Sequence, residues 1–506
     1  MTTRRTLLAA GAAAAIATAV AAPAEAAPAA ASLAPAALAS ADPIAHLVRR
    51  ATFGPTPAVL AEVKALGIEG WLDRQLDPAK ISDPLCDELM ARLPLAGASI
   101  ATTRATITKN SYDGFKQLGR AAVARAAWSN RQLFEMTAAF WANHLHVAAP
   151  SSQTWDSRAD YDAQVIRKHA FGRFADMLKA SMKHPAMLSY LDNRSSTKAH
   201  PNENYARELM ELHTVGLVYS EADVLAGARL LTGLTVNKTN GVFLYDSTQH
   251  ITGAVSILGF QHTNATAAGG ESAALAFADH LAKHPATAAR LATKLCQRFV
   301  SDEAPASLVA KLAKVYLDND TAIKPVLKAL FLSPEFAAAI GQKTRTPLED
   351  LTATIRTLGL GPEKSGLQLL DALYNGLVYA GNAPFRWAPP NGYPDVAAAW
   401  ASPSGFLLRC NNHLNLAAGW YPSWFTRPAD MLKSLVPTLP GTYGALVDAL
   451  AVRLIGKALP PQHTAAVLSV AGKLPTSPLT ASDKSLAGHA PYLIALVLDA
   501  PAFQLR

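Results

Sequence analysis

The stretch 200–216, HPNENYARELMELHTVG, carries the clearest structural signal in the chain. Asn202 can accept hydrogen bonds from the free backbone N–H groups of a first helical turn, and Gly216 can close the far end in a left-handed turn. Between them Leu209 and Leu212, with Tyr205 nearby, mark a buried side. Asn204, Glu208 and Glu211 recur at spacings of four and three, so on a helix over 202–214 they share one polar face. Directly downstream, Ser220 precedes Asp223 in a capping-box pattern, with Asp in the usual Glu place, and the next helix runs through DVLAGARLLTG.

The same helical grammar extends in both directions. Asp42-Pro43 opens IAHLVRRATF, which Phe53-Gly54-Pro55 stops, and Thr56-Pro57 opens a second helix with apolar residues every three or four positions. Residues 95–116 read as a less regular stretch containing a loop, 117–148 as helical, 160–178 as a further helix, and His184-Pro185 as the start of a shorter one. Residues 234–264 change character, with short apolar runs among Thr, Asn and Gly that predict an irregular excursion with one small hairpin. Helices are expected again over 271–299, 304–317 and 323–332. Pro347-Leu348-Glu349-Asp350 opens another, residues 371–405 read as aromatic, Gly- and Pro-rich loops, and the last hundred residues return to helical periodicity. LFLSPEF at 330–336 is similar to VLDAPAF at 497–503, a single match that does not by itself establish duplication. Strands and helices do not alternate, so the expected fold is mainly α: a large multihelix domain with an irregular loop or small hairpin insertion.

The ends and the composition bound the setting. MTTRRTLLAAGAAAAIATAVAAPAEA at 1–26 has a basic start at Arg4 and Arg5, an alanine-rich apolar stretch and small-residue cleavage positions, the pattern of a signal peptide of twin-arginine type. An Ala/Pro-rich tether follows at 27–41, then a helical region at 42–341 and a second at 342–506, expected to pack against the first. These readings place the protein outside the cytoplasm, in the periplasm, cell envelope or medium, with no stable membrane span in the mature chain. The formal charge of +8 falls to +7 once Arg4, Arg5 and Glu25 are removed, and it is spread along the chain. No basic block with interleaved aromatics points to nucleic acid. Cys86, Cys296 and Cys410 are isolated, which excludes a disulfide framework and a CxxC metal site.

Candidate chemistry concentrates in two segments. On the 202–214 helix, Glu208 and Glu211 can act as general bases, bind a hard metal or hold a cation, while Arg207 lies four residues from both Glu203 and Glu211 in a charge network. His200 and His213 flank that helix, but HExxH spacing is absent. In FWANHLHV, Asn143, His144 and His146 form the second concentration; on a helix the two histidines would point about 200° apart, one facing the 200–213 unit and the other solvent. Trp141 is either core or a substrate wall, and Arg386 and Trp387 in PFRWAPPNGYP form either an aromatic-polar lid or a packed loop. A divalent metal is compatible with the carboxylate and imidazole set, although no specific motif calls for one. GxSxG, GxGxxG and GxxxxGK[ST] are all missing.

Taken together, HLVRRATFGPTPAVL at 46–60, FWANHLHV at 140–147 and YLDNRSSTKAHPNENYARELMELHTVGLVYSEADVLAGARLLTG at 190–233 resemble the bacterial family called domain of unknown function 1800. HPATAARLATKLCQRFVSD, LFLSPEF and PFRWAPPNGYPD extend the resemblance over nearly the whole mature chain. It marks Asn202, Glu203, Asn204, Arg207, Glu208, Glu211 and His213, with Asn143 and His144, as family-like positions. Around His250 the chain departs from the family's HDxxxK-like pattern, since Ile251 follows the histidine. The resemblance also implies export and a secreted, sulfatase-like partner, but no reaction.

Three functions remain open on the sequence. The first is an exported binding or accessory protein with a groove at Trp141, Arg207 and the 386–393 loop, taking a polymer, peptide or partner. The second is a metal-dependent or acid–base hydrolase using His144, Glu208, Glu211 and His213, in which a carboxylate or histidine activates water and Arg207 or a metal stabilises the developing negative charge; Asn143, Asn204, Arg386 and Trp387 join Trp141 and Arg207 as candidate substrate- or partner-binding residues. The third is a structural envelope protein whose polar helix only locks the core.

Overall fold

Side-chain caps set the helix starts. Asp42 Oδ1 accepts from the Ile44 N–H at 2.9 Å ahead of the Pro43–Ala51 helix, and Thr56 Oγ1 accepts from Val59 N–H at 3.2 Å ahead of Pro57–Gln75. Ser220 and Asp223 close the expected capping box on Glu221–Leu230, and Thr346 with Glu349 closes another on Pro347–Leu358. Each such cap contributes about 1 kcal/mol because it satisfies N–H groups that have no partner inside the helix.

The computed structural model describes residues 38–506; the signal-peptide reading at 1–26 and most of the 27–41 tether lie outside them. The fold is mainly α, 59% helical, with the non-helical insertion after Leu230. That insertion holds two antiparallel hairpins where one was expected. β1 (Leu234–Val236) pairs with β2 (Phe243–Tyr245), and β3 (Val255–Ile257) pairs with β4 (Phe260–His262). Among the described residues, no helix is long and apolar enough to cross a membrane.

Several expected elements are interrupted. The 117–148 segment is two helices, Asp113–Trp128 and Gln132–His144, because Asp83 draws Ser129 Oγ and the Asn130 N–H out of the helical path. The less regular 95–116 stretch, expected to contain a loop, also holds the helix Ile100–Thr106, started by Ser99 Oγ accepting from the Thr102 N–H. The expected 160–178 helix is a π-helical stretch over Asp162–Arg167, a break, and then Phe174–Lys183, whose first residue is pinned by its N–H to Thr321 O at 3.0 Å. Part of the expected 371–405 loop belongs to the helix Gln368–Tyr379.

Two hydrophobic cores result. One gathers residues between Leu47 and Ala339; the other combines Leu351 to Phe503 with Leu89 to Trp128 from earlier in the chain. The cores meet where Gly54 crosses the Pro347–Leu358 helix: a β-carbon there would lie 2.5 Å from Ala353 Cα, so only glycine fits. Arg356 Nε donates to Gly54 O at 2.8 Å across the same crossing. The LFLSPEF and VLDAPAF segments also share local features. Each carries a short helix, Pro334–Ala338 and Pro501–Gln504, with a basic side chain on its phenylalanine. His46 stacks on Phe336 and donates to its carbonyl, while Arg345 lies 4.6 Å over Phe503 and donates to that carbonyl.

Candidate functional site

The site is built by three helices and one loop. In the 200–216 unit, α-helix covers Glu203–Glu208 and a π-helical stretch covers Leu209–His213. The reason is visible in the burial: Tyr205, Leu209 and His213 are buried, as are Ala206, Met210 and Thr214. Their strict spacing of four exceeds the α-helical repeat of about 3.6, and a wider turn absorbs the difference. Thr214 Oγ1 donates to Leu209 O at 2.7 Å in this turn, and Gly216 ends it at φ 78°. The wider turn leaves Leu212 only half-buried, against expectation, and carries His213 inward.

His213 meets the end of Gln132–His144 and the middle of Pro285–Phe299. His144 Nε2–H donates to His213 O at 3.0 Å, which leaves Nδ1 as the acceptor for Lys294 Nζ at 3.2 Å. His213 itself is 1% exposed, and no described protein group hydrogen-bonds to either of its ring nitrogens. Arg290, one turn before Lys294, has an equally unpaired, buried Nε. The electrostatics follow from this placement. Burial, then Lys294, Arg290 and His146, push His213 down to about 3, and burial with the same cations pushes His144 well below its ordinary value. Burial and Arg290 bring Lys294 down to about 8.

Carboxylates and phenols form the rim. Glu208 is half-buried, and burial with the neighbouring Glu211 raises its carboxyl above the usual range. Glu211 Oε2 accepts from Tyr219 OH at 2.5 Å and bears electrostatically on Arg290. Tyr190, raised to about 12 by burial and Glu208, donates its OH to Ala388 O at 3.0 Å. His146 is buried instead of facing solvent: it lies past the helix end and donates Nε2–H to Trp387 O at 2.7 Å. The 386–393 loop therefore rests on His146 and Tyr190, beside the His213 cluster.

The structure joins His144 to His213 directly, sets Glu211 within electrostatic reach of Arg290 and Glu208 beside Glu211, and hangs Trp387 on His146; the remaining candidates play other parts. Trp141 is fully buried, with Nε1 on Ala170 O and its ring stacked on Phe174, so it belongs to the core and walls no groove. Arg207 pairs on the surface with Glu221 at 2.6 and 2.8 Å and with Glu203 at 3.6 Å, away from the cluster. Asn204 donates to Leu191 O at the helix entry, His200 is exposed, and Arg386 is exposed beside Tyr374. Asn143 holds the loop: its amide exchanges two hydrogen bonds with the Tyr393 backbone. Trp387 Nε1 donates to Asn391 Oδ1, and its ring lies 5.1 Å from Tyr393. His250 is satisfied by Thr232 O and Asn264 Oδ1 at 2.8 Å each.

Sequence reasoning missed Arg290, Lys294 and Tyr190. The available signal was the four-residue spacing of Arg290 and Lys294 on one face of HPATAARLATKLCQRF. Among the described residues, no group of three or more His, Cys, Asp or Glu could hold a metal ion. Asn143 and His146, with Phe385 and Tyr393, also line a cavity of ≈ 150 Å³ between the two cores. Its charged walls are paired: Arg167 grips Glu135 through two hydrogen bonds, and Arg298 lies 2.7 Å from Glu349. Glu349 also binds Arg506 at 2.7 Å.

Searches of curated proteins and of solved structures returned no match. The family model described as "Protein of unknown function (DUF1800)" matches residues 46–505, taking in both cores and every side chain of the site. The chain belongs to the DUF1800 family.

Proposed function

We propose that the chain is an exported binding or accessory protein whose ligand carries an anionic oxygen group, a carboxylate, phosphate or sulfate, received between Arg290, Lys294 and His213. One observation carries this reading. A fully buried imidazole with no hydrogen-bond partner sits behind two cations, and buried polar groups are otherwise almost always paired. An oxyanion would accept from the His213 N–H and from both cations at once, through charge-assisted N–H···O⁻ bonds, which are the strong ones. Export rests on the 1–26 sequence, and an accessory role beside a sulfatase-like protein rests on the family resemblance.

The test is ligand-induced stabilisation of the purified protein by inorganic sulfate, phosphate or acetate. The native chain is expected to gain on the order of a few degrees in Tm, and the R290Q/K294M variant none. Equal shifts in the two proteins would remove the reading.

A second reading, acid–base hydrolysis, is favoured by Glu208 alone. A carboxyl that keeps its proton above the usual range is what a general acid requires. Native protein should then cleave a model phosphate or carboxyl ester, and Glu208→Gln should lower kcat at least about 100-fold. Absence of turnover by the native protein sinks this reading. Arg207 pairs on the exposed surface, so it does not supply the closed-core lock on which a purely structural role for this helix depends.

A further inference from the structure

The contact between Lys294 and His144 is more specific than anion binding needs. A cation that only attracts an anion is best left with all its N–H donors free for the ligand. Lys294 instead spends one on His144 Nδ1, the one ring nitrogen able to accept it, because the other donates to His213 O. The arrangement has the logic of a nucleophile and its base: a polar side chain held by an imidazole whose tautomer is fixed by a third group. Lys294 is partly buried, whereas His144 and His213 are fully enclosed. Arg290, one turn away, presents its unpaired Nε beside it.

We propose that Lys294 is the nucleophile of this site and forms an imine with a ligand that carries both a carbonyl and an anionic oxygen group. The inference rests on the anion-binding reading for the second of those groups. The neutral amine of Lys294 attacks the carbonyl carbon and an N–C bond forms. Both amine protons pass to the carbonyl oxygen, the C–O bond breaks and the oxygen leaves as water, with no change in oxidation state. His144 Nδ1, already hydrogen-bonded to one of those protons, is the positioning group. Arg290 and the His213 N–H hold the anionic end. Burial and Arg290 support the step by bringing the ammonium down to about 8, which supplies free amine near neutral pH.

The experiment uses the full chain with two aldehydes, glyoxylate, which carries a carboxylate, and propanal, which does not. Each imine is trapped with cyanoborohydride and located by peptide mapping. Lys294 is expected to label at least roughly tenfold faster than the exposed Lys64 and Lys109 at pH 8, within the roughly hundredfold excess of free amine that a value of about 8 gives over the ordinary lysine value. Glyoxylate should outpace propanal there, and sulfate should suppress the glyoxylate reaction. His144→Gln should slow labelling at Lys294 only; should that variant not fold, the comparison of lysines within the native chain decides. Labelling at Lys294 no faster than at Lys64 overturns the inference, even where sulfate stabilises the protein and anion binding stands. Fast labelling by both aldehydes alike, unaffected by sulfate, supports the nucleophile and removes the anion-binding reading.

Discussion

Asn143 and the backbone of Tyr393 are joined by two hydrogen bonds, Nδ2–H to the carbonyl at 2.8 Å and the Tyr393 N–H to Oδ1 at 2.6 Å. The side chain acts as a short piece of strand, tying a loop of the second region to the helix that carries His144. The approach is so close that a β-carbon at Gly392, φ 72°, would lie 2.2 Å from Asn143 O.

Asn143→Ala should therefore free the 386–393 loop. Two partly buried backbone groups lose their partners, at a cost of about 1–2 kcal/mol. Chemical denaturation measures the loss, and limited proteolysis should show a new cleavage within residues 386–393. A variant as stable and as protease-resistant as the native chain would show that the loop is held elsewhere.

Lys294→Met should stabilise the protein near neutral pH. In the folded chain Lys294 titrates at about 8, below its ordinary value, so folding disfavours its charged form. That penalty is full below pH 8 and is relieved as pH rises from 8 towards the ordinary lysine value. The advantage of Lys294→Met, followed by urea denaturation, is expected to shrink across that window. Anion binding by the native chain should weaken over the same rise, since the cation is lost.

His413 behaves in the opposite sense. Asp350 and Asp499 flank its ring at 3.2 and 2.7 Å, and although burial opposes the charge, these carboxylates raise it to about 9. A raised imidazolium contributes stability that is complete below the ordinary histidine value of about 6.5 and disappears as pH passes 9. His413→Gln should cost most at pH 5–6 and little above pH 9.5. A cost independent of pH would mean that the ring serves only as packing against Phe503.

Glu349→Ala should be among the most damaging single changes. Burial alone would raise this carboxyl, but Arg506 and Arg298, each 2.7 Å away, outweigh it and hold it below its ordinary range. Removing it leaves two buried guanidiniums short of a counter-charge, a loss of about 3–5 kcal/mol. Its contribution belongs to pH values above the carboxylate range and is lost in acid, which denaturation at pH 7 and pH 3 can check.

The sequence alone determined the helical class and several helix starts, because a cap is a local event. Asp42, Thr56, Asn202, Ser220 and Thr346 each reach N–H groups within three residues, so their roles are written in short motifs. It also singled out His144, Glu208, Glu211 and His213, of which the structure joins His144 to His213 and sets Glu211 within electrostatic reach of Arg290. Only the tertiary structure decided which way they face. The π-helical turn that rotates His213 inward answers to packing around residues 205–214, and no propensity within that segment announces it. Lys294 reaches His144 across 150 positions, and Asn143 holds Tyr393 across 250. The first pairing depends on how helices pack within one core and the second on how the two regions meet, neither of which local spacing encodes. Packing within the first core buried Trp141 and left Arg207 on the surface, so two residues that look alike as site candidates in sequence lie on opposite sides of the solvent boundary.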